Sequence, residues 1–223
     1  MGSAYTVIAS ERISYTLITG TDRNTREAEK YHLRPALVGD VCILLEPTNQ
    51  DEIQSLHQYQ LQLQKTFNGT PTHHVHLTCQ RFAMAEDYPR EVLFENLRSA
   101  MADITPFPLT AVDIQKLYIP RIQSTILKWR VELTLELSHL THQVELAVKE
   151  AGLVSSYIPG WVPSLVTALE NLHSIPSKDT SISKEIFPHH LFIIHKLVIS
   201  RIISVDQYKL LGTIYLPTTD ASD

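Results

Sequence analysis

Two of the eleven histidines in this chain of 223 residues begin the same tripeptide. His-Leu-Thr occurs in THHVHLTCQRF (72–82) and again in LSHLTHQVEL (137–146). An imidazole and a hydroxyl two positions apart can hold a phosphate between them and pass a proton to or from it. Whether they do so depends on the element that carries them. On a strand, residues i and i+2 point the same way, so His76 and Thr78 would stand side by side. On a helix they lie about 200° apart around the axis, and His139 and Thr141 could not converge on one ligand.

The surrounding residues separate the two copies. Val75, Leu77 and Cys79 alternate with His74, His76 and Thr78, which predicts a half-buried strand over 75–82. By the same alternation Arg81 falls on the apolar face near the strand's end. After Ser138, a good N-cap, Leu140, Val144, Ala147, Val148 and Ala151 form one stripe and Gly152 stops it. The second copy therefore belongs to the start of a helix over 139–152 and is a coincidence of composition.

Other elements follow from the same periodicities. VCILLEP (41–47) is an apolar run ended by proline, which predicts a buried strand. A helix is expected over 49–68, capped by Asn49 and closed by Gly69, with Ile53, Leu56, Leu63 and Phe67 as apolar positions. A further helix is expected over 88–104 and strands over 109–119 and 124–137. Residues 164–172 fit either type, and a loop with a short helix follows. LFIIHKLVISRII (191–203) and YKLLGTIYLP (208–217) predict an antiparallel hairpin. One or two short strands are expected over 5–18. Helices interleaved with antiparallel strands make the class α+β.

Composition narrows the function. Hydrophobic residues make up 43% and charged residues 19%, with net charge -5 and pI about 6.1. That excludes a broad grip on duplex DNA and leaves small phosphorylated ligands open. Cys42 and Cys79, each inside an apolar run, read as buried free thiols and suggest a reducing, cytoplasmic setting. No stretch approaches the ~20 apolar residues of a membrane span. No GxGxxG or GxxxxGK[ST] occurs, and no cysteine cluster suggests zinc.

The order of these segments resembles the 2H phosphoesterase superfamily, which includes the bacterial 2′-5′ RNA ligase and cyclic phosphodiesterase proteins. VCILLEP and helix 49–68 look like that family's opening strand and helix, THHVHLTCQRF like its first His-x-Thr strand, and helix 139–152 with GWVPSLVTAL like the approach to its second. The resemblance implies an α+β, bilobal fold with two antiparallel sheets, helices outside and a central cleft. It covers 41–217, with lobes of roughly 41–135 and 136–217, an extension over 1–40 and a tail over 218–223. It also implies a phosphoesterase that needs no metal or other cofactor and acts on a 2′,3′-cyclic phosphate or a 2′-5′ linked nucleotide or RNA end. The partner would be a small nucleotide or RNA terminus.

The match is complete at the first motif, where His76 would be the acid or base and Thr78 the phosphate holder. At the second, Trp161-Val162-Pro163 is followed by Ser164 where the family has histidine and Val166 where it has threonine. Shifting by one residue puts Thr167 in the hydroxyl position and Leu165 in that of the imidazole. A serine has no useful pKa for this role, so an alternative is a protein that binds a nucleotide or RNA end without turning it over. A purely structural domain is a third reading. His74, on the face of His76, is expected to support it or touch substrate, and Trp161 either to line the cleft or to cover core from a turn. His173, His189, His190 and His195 read as ordinary core or surface histidines. Lys128 and Arg130 alternate with Leu127 and Trp129 and could face the cleft or solvent, with solvent expected.

Overall fold

A computed structural model of the chain describes residues 33–34, 36–119, 124–172, 187, 189–204 and 207–218. The strands expected over 5–18, the short helix expected after 173 and His173 itself lie outside the described residues. Along the described residues run β1 (Val41–Leu45), α1 (Gln50–Phe67), β2 (Thr70–Pro71), β3 (Leu77–Phe82), α2 (Arg90–Ala100) and β4 (Phe107–Ile119). Then come β5 (Ser124–Val131), α3 (Leu135–Glu150), β6 (Leu165–Leu172), β7 (His189–Ile194), β8 (Lys196–Ser204) and β9 (Gln207–Tyr215). The strands pair antiparallel into two sheets, in the orders β3-β1-β8-β9 and β2-β6-β5-β4-β7. The class is α+β, as expected.

The lobes are not the sequence halves 41–135 and 136–217. The first sheet takes β1 and β3 from one end of the described chain and β8 and β9 from the other. The reason lies in β1. All five residues of VCILL are buried, so the strand needs a neighbour on each side and cover on each face. β3 supplies one neighbour and β8 the other, with Ile43 opposite Ile199. LFIIHKLVISRII is accordingly two strands rather than one arm of a hairpin. β7 pairs with β4 in the second sheet, β8 with β1 and β9 in the first, and the chain crosses between them at His195.

Helices cover the sheets. Asn49 caps α1 by accepting from Glu52 N at 2.7 Å, and Glu52 Oε1 accepts from Ile193 N at 2.8 Å, which ties the helix start to β7. Leu56, Tyr59, Leu63 and Phe67 of α1 are buried, and Tyr59 stacks on Trp129 of the second sheet at 5.8 Å. α2 and α3 pack on one another and against the first sheet. Gly212 of β9 makes this possible, because a Cβ there would collide with the Phe94 ring of α2.

The junction between β5 and α3 differs from the sequence reading. The strand expected over 124–137 ends at Val131, and α3 begins at Leu135. Thr134 is the N-cap, accepting from Leu137 N at 3.2 Å, so Ser138 lies inside the first turn and donates its hydroxyl to Thr134 O. The leucines at 133 and 135 that imitated a strand are exposed. The ambiguous stretch 164–172 forms β6, with Val166 fully buried opposite Trp129.

Val166→Thr replaces a packed methyl by a hydroxyl in the core and should cost about 1–3 kcal/mol. Urea unfolding would show a lower midpoint with unchanged slope. An unchanged midpoint would mean that residue 166 faces water.

Candidate functional site

The first motif begins one step before β3. Leu77 and Cys79 belong to the main core, while Thr78 pairs with Leu44 on the opposite face, beside Val198 and Ile202. A bulge opposite Ile43 and Leu44 then shifts the alternation by one residue. Arg81 consequently pairs with Cys42 and lies on the Thr78 face, not on the apolar face predicted by unbroken alternation. It is only 5% exposed. Its Nη2 donates to Arg34 O at 2.7 Å, its Nε lies 3.7 Å from Asp40, and its guanidinium lies over the Tyr157 ring. Tyr157 in turn stacks on Trp161 at 4.0 Å. Trp161 is therefore part of a stack that covers the β3 end of the sheet.

His76 is held by its own backbone neighbourhood. Its Nδ1 lies 2.9 Å from His74 O, and a carbonyl only accepts, so Nδ1 carries the proton and Nε2 keeps its lone pair. The His74 ring turns to Glu46, with 2.8 Å between Nε2 and Oε1. Tyr208 of β9 stands edge-on to both imidazoles, its centroid 5.8 Å from His74 and 5.9 Å from His76. Burial pushes the His76 pKa down to about 4, and His74 and Lys128 push the same way. The His74 carbonyl and Glu46 oppose them. The ring is therefore neutral at pH 7, with the Nε2 lone pair free.

Strands β5 and β6 supply the facing wall. Leu127, Trp129 and Val131 point into the core, and so do Val166 and Ala168. Thr167 pairs with Lys128, and Leu165 with Arg130, on the other face. Of the two second-motif registers, the one with Val166 as hydroxyl position is closed by burial. The one with Leu165 and Thr167 puts both side chains on the face away from the core. Ser164 precedes the strand, its carbonyl accepting from Val131 N at 2.9 Å. Arg130 is exposed, with Asp113 at 3.5 Å, as expected. Lys128 is not solvated as expected: it is half-buried, burial lowers its pKa against the pull of Glu170, and its charge is felt at His76.

What brings the walls together is a residue that the sequence reading passed over. Gln60 of α1 is buried, and its Nε2 donates to Thr72 O at 3.1 Å and to Ala168 O at 2.9 Å. One amide thus ties the segment leading to His76 to the middle of β6, where β3 and β6 approach each other. Its signal was positional: a glutamine on the Leu56–Leu63 stripe, where only apolar residues were being counted. Glu46, Tyr208 and Lys128 had no comparable signal.

The remaining histidines lie elsewhere. His139 is exposed while Thr141 is buried, donating to Leu137 O at 2.9 Å, so the second His-Leu-Thr copy diverges as expected on a helix. His189 stacks on Tyr59 at 4.0 Å and lines an open hollow of about 900 Å³ along α1. It sits on β7, at the opposite edge of its sheet from β2 and β6. Both thiols are free and buried, and burial raises both, Cys42 to about 12, so neither is a nucleophile. Among the described residues no three His, Cys, Asp or Glu side chains group to hold a metal, and no helix is long and apolar enough to cross a membrane.

The depressed pKa has a readable consequence. In an NMR pH titration the His76 ring should titrate near 4, and inorganic phosphate should raise that midpoint because an anion favours the imidazolium. Because the folded value lies below the unfolded one, the protein should lose stability relative to His76→Gln as pH falls from about 6.5 towards 4. A midpoint above 6 without ligand would put the ring in water.

No family model matches this sequence, and no curated protein does. Solved structures do. LigT of E. coli in its apo form superposes with a TM-score of 0.57 at 13% identity, covering 81% of this chain and 99% of its own. TT0787 of Thermus thermophilus gives 0.55 at 13% identity, again over 81% and 99%. Usb1 of Kluyveromyces marxianus gives 0.50 at 12% identity, over 81% and 98%. The likeness spans 81% of this chain, so it shares the fold of these structures, one of them described as a phosphoesterase.

Proposed function

We propose that the space between the two sheets binds a 2′,3′-cyclic phosphate or a 2′-5′ linked nucleotide or RNA end and opens its phosphodiester. The observation that carries this reading is the fixed tautomer of His76. A neutral ring with Nδ1–H spent on a carbonyl leaves the Nε2 lone pair free, two residues before Thr78. In the hydrolysis of a cyclic phosphate, Nε2 would take a proton from the attacking water. The Thr78 and Thr167 hydroxyls would donate to non-bridging oxygens, where negative charge grows. Crystal structures of LigT with 3′-AMP and with NADP+ agree in ligand class.

Leu165 supports the alternative of a binding protein. It stands two residues before Thr167 on the same face, where the resemblance calls for an acid, and a hydrocarbon donates no proton. A missing general acid costs about 10²–10⁴-fold in rate. His74 acts in either reading through its carbonyl, which orients His76.

The test is incubation of the protein with each 2′,3′-cyclic nucleoside monophosphate in EDTA, beside His76→Ala. EDTA-resistant turnover that drops at least ~10²-fold in the variant is the expected result. Nucleotide binding without turnover would establish the binding protein, and neither would leave the fold without this activity.

A further inference from the structure

Resting on that function, we infer that Lys128 takes the chemical place of the missing second histidine. Its ammonium group lies across from His76 and delivers the proton that the leaving oxygen needs. Three observations of geometry lead there. Lys128 is the cross-strand partner of Thr167, so a phosphate held by that hydroxyl would come within reach of a long flexible amine. It is half-buried where its neighbour Arg130, two residues on and on the same face, is exposed and engaged with Asp113. β3, which follows His76, and β6, which carries Thr167, approach each other, and the charge of Lys128 acts on His76. Among the described residues no carboxylate comes within ion-pair distance of Lys128, although Glu170 acts on it from β6. The ammonium is therefore available to an anion.

The division of labour follows from chemistry. His76 is neutral and can only be the base. An acid must be protonated at neutral pH yet able to release its proton, and a lysine in a partly dry site meets both demands. For a 2′,3′-cyclic phosphate the step balances. Water attacks phosphorus while His76 Nε2 takes one of its protons. The bond from phosphorus to one ribose oxygen breaks, and that oxygen takes a proton from Lys128 Nζ. The products are a nucleoside monophosphate, an imidazolium and a neutral amine. Return of the imidazolium proton to the amine, directly or through water, restores both groups. The charged and titratable groups that interact with the amine or lie next along its strand face are Glu170 of β6, His76, and Arg130 two residues on in β5.

The experiment compares wild type, Lys128→Met, Lys128→Arg and the double variant Lys128→Met/Leu165→His, with folding checked by circular dichroism. Turnover of the 2′,3′-cyclic nucleotides is measured across pH. Lys128→Met should lose at least ~10²-fold in kcat. Lys128→Arg should keep KM within about threefold, because the charge remains, yet stay ~10²-fold down in kcat, because guanidinium does not release its proton. The fall of the wild-type rate at high pH should vanish in Lys128→Arg, and the new histidine in the double variant should recover turnover. A kcat within about threefold of wild type in folded Lys128→Met would overturn the assignment while leaving the phosphoesterase reading intact. Absence of turnover in the wild type would overturn both.

Discussion

Everything in this protein hangs on the pairing of β1 with β8. A five-residue strand that is apolar on both faces is stable only when flanked and covered, and the second flank comes from residues more than 150 positions away. Once β8 is placed beside β1, the chain must leave the second sheet at His195, β9 must become an edge, and β7 must stay with β4. The two sheets are thereby bound through one continuous backbone crossing. β3, which carries Thr78, and β6, which carries Thr167, then approach each other.

Within that frame, the site is built from groups whose solvent has been partly removed. A histidine in water is a compromise between acid and base. Here desolvation and the neighbouring positive groups resolve the compromise, leaving a neutral ring whose tautomer is dictated by a backbone carbonyl. Glu46 Oε1 lies 2.8 Å from His74 Nε2, and the His74 carbonyl accepts from His76 Nδ1, which links the end of β1 to the His76 ring. The same loss of solvent loosens the proton on Lys128. Gln60 shows how α1, which touches neither group, sets the separation of the walls.

The sequence was most legible where period and burial agree. β1, α1 and the antiparallel class followed from apolar spacing, because a buried face leaves the same mark wherever the partner comes from. It was least legible at irregularities. Arg81 was assigned to the wrong face because one extra residue in β3 reverses the alternation, and a bulge has no obligatory residue type. The strand expected to reach 137 ran through a helix cap, since Leu133 and Leu135 imitate a pleat while lying in water.

By itself the sequence predicted that His76 and Thr78 share a face, because residues two apart on a strand point the same way. It also determined that the second His-Leu-Thr copy could not be a site, because a helix forbids what a strand allows. Only the tertiary structure decided between Val166 and Thr167. Both registers offered a plausible motif, and the choice belongs to Trp129, which buries one neighbour and leaves the other outside the core. Only the tertiary structure, too, half-buried Lys128 and brought its charge to bear on His76. Alternation gives two faces, but which of them meets another sheet is settled by contacts between residues far apart in the chain.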